Sequence, residues 1–153
     1  MTTGYIKPVI VGLVMLLGAI SHVIASPSCS ITIHSNDRIE WDTDHIKVSQ
    51  SCQSFTINLI HDGHLDKGVM GHNWVLTKAQ DKEQVAQAVI LEKETDYINN
   101  DPRIIAHTKL IGGGQRTTIT FGVSQLQQGQ QYSFFCSYPE HIGLMQGTLE
   151  LVD

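Results

Sequence analysis

The chain has 153 residues, 41 % of them apolar and 16 % charged, enough for one domain with a packed core of its own. Fifteen acids against ten lysines and arginines give a formal net charge of −5. With no basic stripe, this argues against a nucleic-acid partner and names no other partner by itself.

The first elements are those of a leader. Lys7 is the only charge before an uncharged stretch, apolar from Val9 to Ile20 apart from two glycines, and Val23-Ile24-Ala25 supplies modest side chains before a cleavage point. This reads as a signal peptide over residues 1–25, removed on export, with the working domain at 26–153. A membrane span needs about 20 apolar residues, and this run breaks off sooner at Ser21-His22. Cys29 follows closely enough to raise lipidation, but Ser26-Pro27-Ser28 before it is a poor site for that modification. The expected location is the periplasm, without stable membrane association.

Downstream, alternation dominates. Ser30 to His34, Ile46 to Val48 and Ser54 to Ile60 alternate apolar and polar residues, the mark of half-buried strands. Asn36-Asp37 and Asp42-Thr43-Asp44 are turn material between them. Trp74 to Thr77 is a further short strand. Ala79 to about Lys93 has no Gly or Pro and many helix formers, with Asp81 and Glu83 near its start and Lys93 near its end, which predicts one helix inserted among strands. Asp101-Pro102 marks a turn. His107 to Leu110 and Thr117 to Phe121 flank the Gly112-Gly113-Gly114 loop, and Gln131 to Cys136 and Gly147 to Val152 complete the set. The pattern predicts an all-β Greek-key sandwich of about eight strands with one α-helix.

The chain has three cysteines. In an oxidising compartment Cys29 and Cys52, each beside a strand-like segment, can pair across the start of a sheet. Cys136 is then left over, and either a metal bond or burial as an inert thiol accounts for it. Its neighbourhood favours metal. Phe134 to Gly147 reads FFCSYPEHIGLMQG, placing a thiol, an imidazole and a thioether at Cys136, His141 and Met145. Two imidazoles, one thiolate and a weak axial thioether form the ligand set of electron-transfer copper sites. His72 in Gly71-His72-Asn73-Trp74 offers the second imidazole, the Gly71 carbonyl can approach from the opposite side, and Asn73 can hydrogen-bond across to the Cys136 loop. His34, His45, His64 and His107 read as surface side chains, and Trp41 and Trp74 as packing residues.

These motifs resemble those of the azurins, blue copper proteins of the cupredoxin family. The resemblance runs through Cys29 and Cys52, Phe55 to Leu59, Val69 to Leu76, Ile105 to Gly112, Phe134 to Cys136 and Leu144 to Leu149, and so spans the mature domain. It implies one copper ion held by His72, Cys136 and His141, with Met145 and the Gly71 carbonyl as weak axial ligands. It also implies a Cys29–Cys52 disulfide, an Asn73 bridge, a non-ligand histidine at His61 whose protonation can couple to redox state, and a His141 ring edge serving as the electron port. The docking patch around that edge would be Leu65, Met70, Pro139, Glu140, Ile142, Gly143 and Leu144. No catalytic residue and no enzyme activity is implied. The chain would be a monomer that exchanges electrons with c-type cytochromes and periplasmic redox enzymes such as copper nitrite reductase.

Four positions depart from the family pattern. Glu140 stands where Gly is usual, putting a carboxylate on an apolar rim and a side chain where a positive φ is to be expected. Tyr138 replaces Phe, Asp62 stands where Pro is common, and His64 is an extra histidine beside the patch. Two rival readings remain at this point: a copper or zinc storage and delivery module, and a thiol enzyme with Cys136 as nucleophile and His141 as base.

Overall fold

A computed structural model describes residues 1–2 and 28–153; the expected leader beyond residue 2 and its cleavage point lie outside the described residues. Among those residues, no helix is long and apolar enough to cross a membrane. Among the described residues, eight strands form two sheets: β1 (Ser30–Ser35), β3 (Ser54–His61) and β6 (Arg116–Gly122) in one, and β2 (His45–Ser49), β8 (Gln146–Val152), β7 (Tyr132–Phe135), β4 (Val75–Lys78) and β5 (Ala106–His107), in that spatial order, in the other. β1 runs parallel to β3 and β2 parallel to β8, while β3–β6, β4–β5, β4–β7 and β7–β8 are antiparallel. The two parallel pairs require crossovers between the sheets, as a Greek-key sandwich does.

Period-two burial sets the register. On β3 the alternation that buries Phe55, Ile57 and Leu59 buries His61 next, so the inward face of an ordinary core strand ends on an imidazole. The core between the sheets is Ile33, Ile46, Val48, Phe55, Ile57, Leu59, Leu76, Phe121 and Leu149 around Trp74 and Phe134. Trp74 stacks on Phe134 at 5.7 Å and on Phe121 at 6.2 Å, and Trp41 lies half-buried 5.3 Å from Phe134. Truncating a ring such as Phe134 to Ala would cost about 3–5 kcal/mol. At the opposite end from His61 the Cys29–Cys52 disulfide joins the start of β1 to the turn before β3, with Cα atoms 5.7 Å apart. Closing a loop of this length contributes about 3 kcal/mol.

Three expectations need correction. The helix predicted over Ala79 to Lys93 is a 3-10 turn (Ala79–Asp81), a two-turn helix α2 (Lys82–Val89) and a separate 3-10 turn (Lys93–Thr95). Val85 and Val89 pack on Val75 and Phe135, and beyond them apolar cover runs out: Leu91 is 86 % exposed. The strand predicted over His107 to Leu110 shrinks to β5, because the Thr108 hydroxyl takes the Trp74 N–H at 2.9 Å and displaces the ladder. The line resumes where His72 and Ile111 exchange two 2.9 Å backbone hydrogen bonds. A second helix, α1 (Lys67–Met70), was not foreseen; Gly68 inside a single turn hides it from any periodicity.

Candidate metal centre

The centre forms where β7 ends and the chain enters β4. Cys136 lies one residue past β7, on the same inward phase as Phe134, and is fully buried. The loop after it folds back so that Cys136 N–H bonds to Met145 O at 2.9 Å and Met145 N–H to His141 O at 2.7 Å. These bonds fold the loop back on Cys136 and carry the fully buried Met145 with it. His72 arrives from the other side, its backbone fixed by the Ile111 pair. Ligand atoms of His72, Cys136 and His141 all lie within 4.8 Å of one another. Cys136 Sγ is 3.7 Å from His141 Nδ1 and 3.9 Å from the Gly71 carbonyl oxygen. A Cβ on Gly71 would sit 2.6 Å from Lys67 O and 2.9 Å from Tyr138 Cδ2, so only glycine lets this carbonyl approach.

The protonation pattern suits a cation. His72 Nε2 faces the Asn36 carbonyl at 2.8 Å and therefore carries the proton, which leaves Nδ1 a bare lone pair. That Nδ1 is buried and has no hydrogen-bond partner. Burial pushes His72 and His141 down to about 4 and the Cys136 thiol up to about 12. Such an unpartnered lone pair costs energy unless a metal takes it. Metal binding would take the proton from the thiol. A thiolate–imidazolium nucleophile needs shifts of the opposite sign, a path for substrate and a third group orienting the base. Here the sulfur is wholly buried, and no carboxylate joins His72, Cys136 and His141 in the cluster to orient the base, which removes support from the thiol-enzyme reading.

Around this group Asn73, also fully buried, accepts the Ser137 N–H at 2.9 Å and donates to the Ser137 hydroxyl at 2.7 Å, the bridge expected from its position. Ser137 in turn donates to the Tyr97 carbonyl at 2.7 Å. His61 stacks on His72 at 4.4 Å, with Nε2 donating to Met70 O and Nδ1 accepting the Gly63 N–H, and stands outside the ligand cluster. His34, His45, His64 and His107 are exposed. Asp62 pairs with His34 at 2.7 Å.

The residues expected to form the docking patch differ in exposure. Leu144 (70 % exposed), Leu65 (41 %), Gly143 and Glu140 face outward; Met70 and Pro139 are half-buried. Ile142 turns partly inward onto the cluster of Val75, Val85, Val89 and Phe135. His141 itself keeps 3 % exposure, less than a protruding ring would show. Val69, beside Met70 in α1, is 63 % exposed and was not among the residues expected there. Glu140 adopts φ 70°, so the loop keeps a left-handed residue there despite the side chain.

The matching family model, described as copper binding proteins of the plastocyanin/azurin family, covers residues 27–152. The chain belongs to the plastocyanin/azurin family of copper-binding proteins. It is 46 % identical over 140 residues to the azurin of Pseudomonas aeruginosa, covering 90 % of this chain and 95 % of that one. It is 49 % identical over 127 residues to azurin-1 of Alcaligenes xylosoxydans xylosoxydans, covering 82 % and 98 %. Among solved structures it is similar to an azurin from Methylomonas sp. strain J, with a TM-score of 0.78, 42 % identity and coverage of 83 % of this chain and all of that one. As a member of this family the chain is a blue copper electron-transfer protein, and its cofactor is copper. The donors fit that ion: two neutral imidazoles and one thiol converge, all three buried.

Proposed function

We propose that this chain is a periplasmic one-electron carrier, delivered by a leader at 1–25 and working as the domain 26–153. His72, Cys136 and His141 would hold one copper ion, with Met145 and the Gly71 carbonyl as weak axial donors. Bound copper supplies the one-electron couple. The observation that carries the reading is the bare, buried His72 Nδ1 beside the Cys136 thiol and His141.

The chain's own residues do the rest. Full burial of Cys136 at the end of a core strand keeps water from the sulfur. The Asn36 carbonyl holds His72 and the buried Asn73 holds the Cys136 loop, which would restrict movement of the donors between redox states. Leu65, Val69, Met70, Pro139, Gly143 and Leu144 offer an apolar face to a partner, which suits weak, brief docking. Glu140 and Asp66 are exposed carboxylates beside it, whereas Lys67 is neutralised by Asp96 at 2.9 Å. The face therefore fits partners with a basic rim, c-type cytochromes first and enzymes such as copper nitrite reductase after them. Stopped-flow exchange with a basic c-type cytochrome tests this. Glu140→Gly is expected to slow exchange at low salt and to match the parent at high salt; equal rates at every ionic strength would remove Glu140 from the docking account.

A further inference from the structure

The ligands come from two separate stretches of chain, Gly71-His72 after α1 and the loop from Cys136 to Met145. Their relative placement decides how closely the Gly71 carbonyl and His72 meet the sulfur. The start of α1 is held by the exposed Lys67–Asp96 ion pair and by Gly112 packed on its backbone, but its middle has little to hold it. The helix is one turn with no buried side chain and no side-chain cap, closed by the Val69 and Met70 N–H groups on Asp66 O. Its far end is held where His61 Nε2 meets Met70 O.

Tyr138 spans the gap between the two stretches. Its hydroxyl donates to the Gly68 carbonyl in the middle of α1 at 2.7 Å. Its ring lies 4.7 Å from His141, meets Tyr97 edge-on at 5.2 Å and packs against Gly71. Ser137, the residue before it, is already fixed by Asn73 and by the Tyr97 carbonyl. The ring thus stands on a rigid base and reaches out to a weakly held turn.

We propose that the Tyr138 hydroxyl is a positioning tether, which locks α1 to the ligand loop and so sets how tightly the Gly71 carbonyl and His72 close on the copper. Phenylalanine would reproduce the ring packing and leave the Gly68 carbonyl to solvent. With the tether cut, α1 and Gly71 gain freedom to relax away from the sulfur. A hard carbonyl oxygen favours the cupric state over the cuprous one, so its retreat raises the reduction potential.

The inference rests on the copper reading, and its test separates the two. Parent and Tyr138→Phe are loaded with copper, and three quantities are read: the voltammetric potential, the release of cuprous ion to excess bathocuproine, and the melting temperature of the copper-free protein. The expected result is a raised potential and release about three- to tenfold faster, the factor one net hydrogen bond sets, with the copper-free melting temperature lowered by no more than a few degrees. Equal potentials and release rates in two blue proteins would overturn the tether alone. So would an effect confined to the copper-free melting temperature, because a purely structural bond would produce that. A parent that takes up no copper would overturn the copper reading and the tether with it.

Discussion

Replacing Glu140 with glycine should stabilise the copper-free protein, against the usual effect of introducing glycine. Glu140 sits at φ 70°, where an L-residue pays about 1–2 kcal/mol for the contact between its Cβ and the following carbonyl. Glycine avoids that contact but loses about 0.5–1 kcal/mol more backbone freedom on folding. The difference is a net gain of about 0.5–1 kcal/mol, or about 2–4 °C in melting temperature for a domain of this size. Copper-free protein is the right sample, since ligand binding would otherwise shift the midpoint by mass action. Glu140→Ala is the control: it removes the same carboxylate and keeps the Cβ. Thermal and urea melts at pH 7 should rank glycine above parent and alanine no higher than parent. A glycine variant no more stable than the parent, or an alanine variant as stable as glycine, would refute the strain argument.

Three further outcomes follow from the same geometry. The unfolded chain binds protons at His72 and His141 near 6.5 and the folded copper-free protein only near 4, so stability should fall as pH drops from about 6.5 to 4; His72 contributes at most about 3 kcal/mol of that loss, and a His72→Gln variant with an undiminished slope would contradict it. Replacing Cys29 and Cys52 with serine should lower unfolding stability by about 3 kcal/mol in urea titrations without changing the blue spectrum; an altered spectrum would mean the disulfide end and the metal end are coupled. Asn73→Ala leaves the buried Ser137 N–H without its acceptor and should cost about 1–3 kcal/mol in denaturant melts while shifting the reduction potential; an unshifted potential would confine Asn73 to stability.

Much of this molecule is legible in its sequence because its signals are local. Alternation from Phe55 to Leu59 locates β3, and the spacing of Cys136, His141 and Met145 is one loop's own geometry. What escaped notice depends on contacts between distant segments or on the backbone. The Asn36 carbonyl that orients His72 has no side-chain signature. The early end of α2 follows from where Val75 and Phe135 stop covering it, not from any residue within the helix. β5 is cut short by a threonine hydroxyl that competes with the ladder. The phenol of Tyr138 is visible in the sequence, but its partner, a carbonyl on a four-residue turn, is not.

The most direct test of the central claim is a cupric titration of the purified mature domain followed by its visible spectrum. The account predicts an intense blue thiolate-to-copper band that saturates at one ion per chain, bleaches on reduction, returns on reoxidation and protects Cys136 from alkylation. A colourless protein whose Cys136 is alkylated equally with and without copper would contradict it.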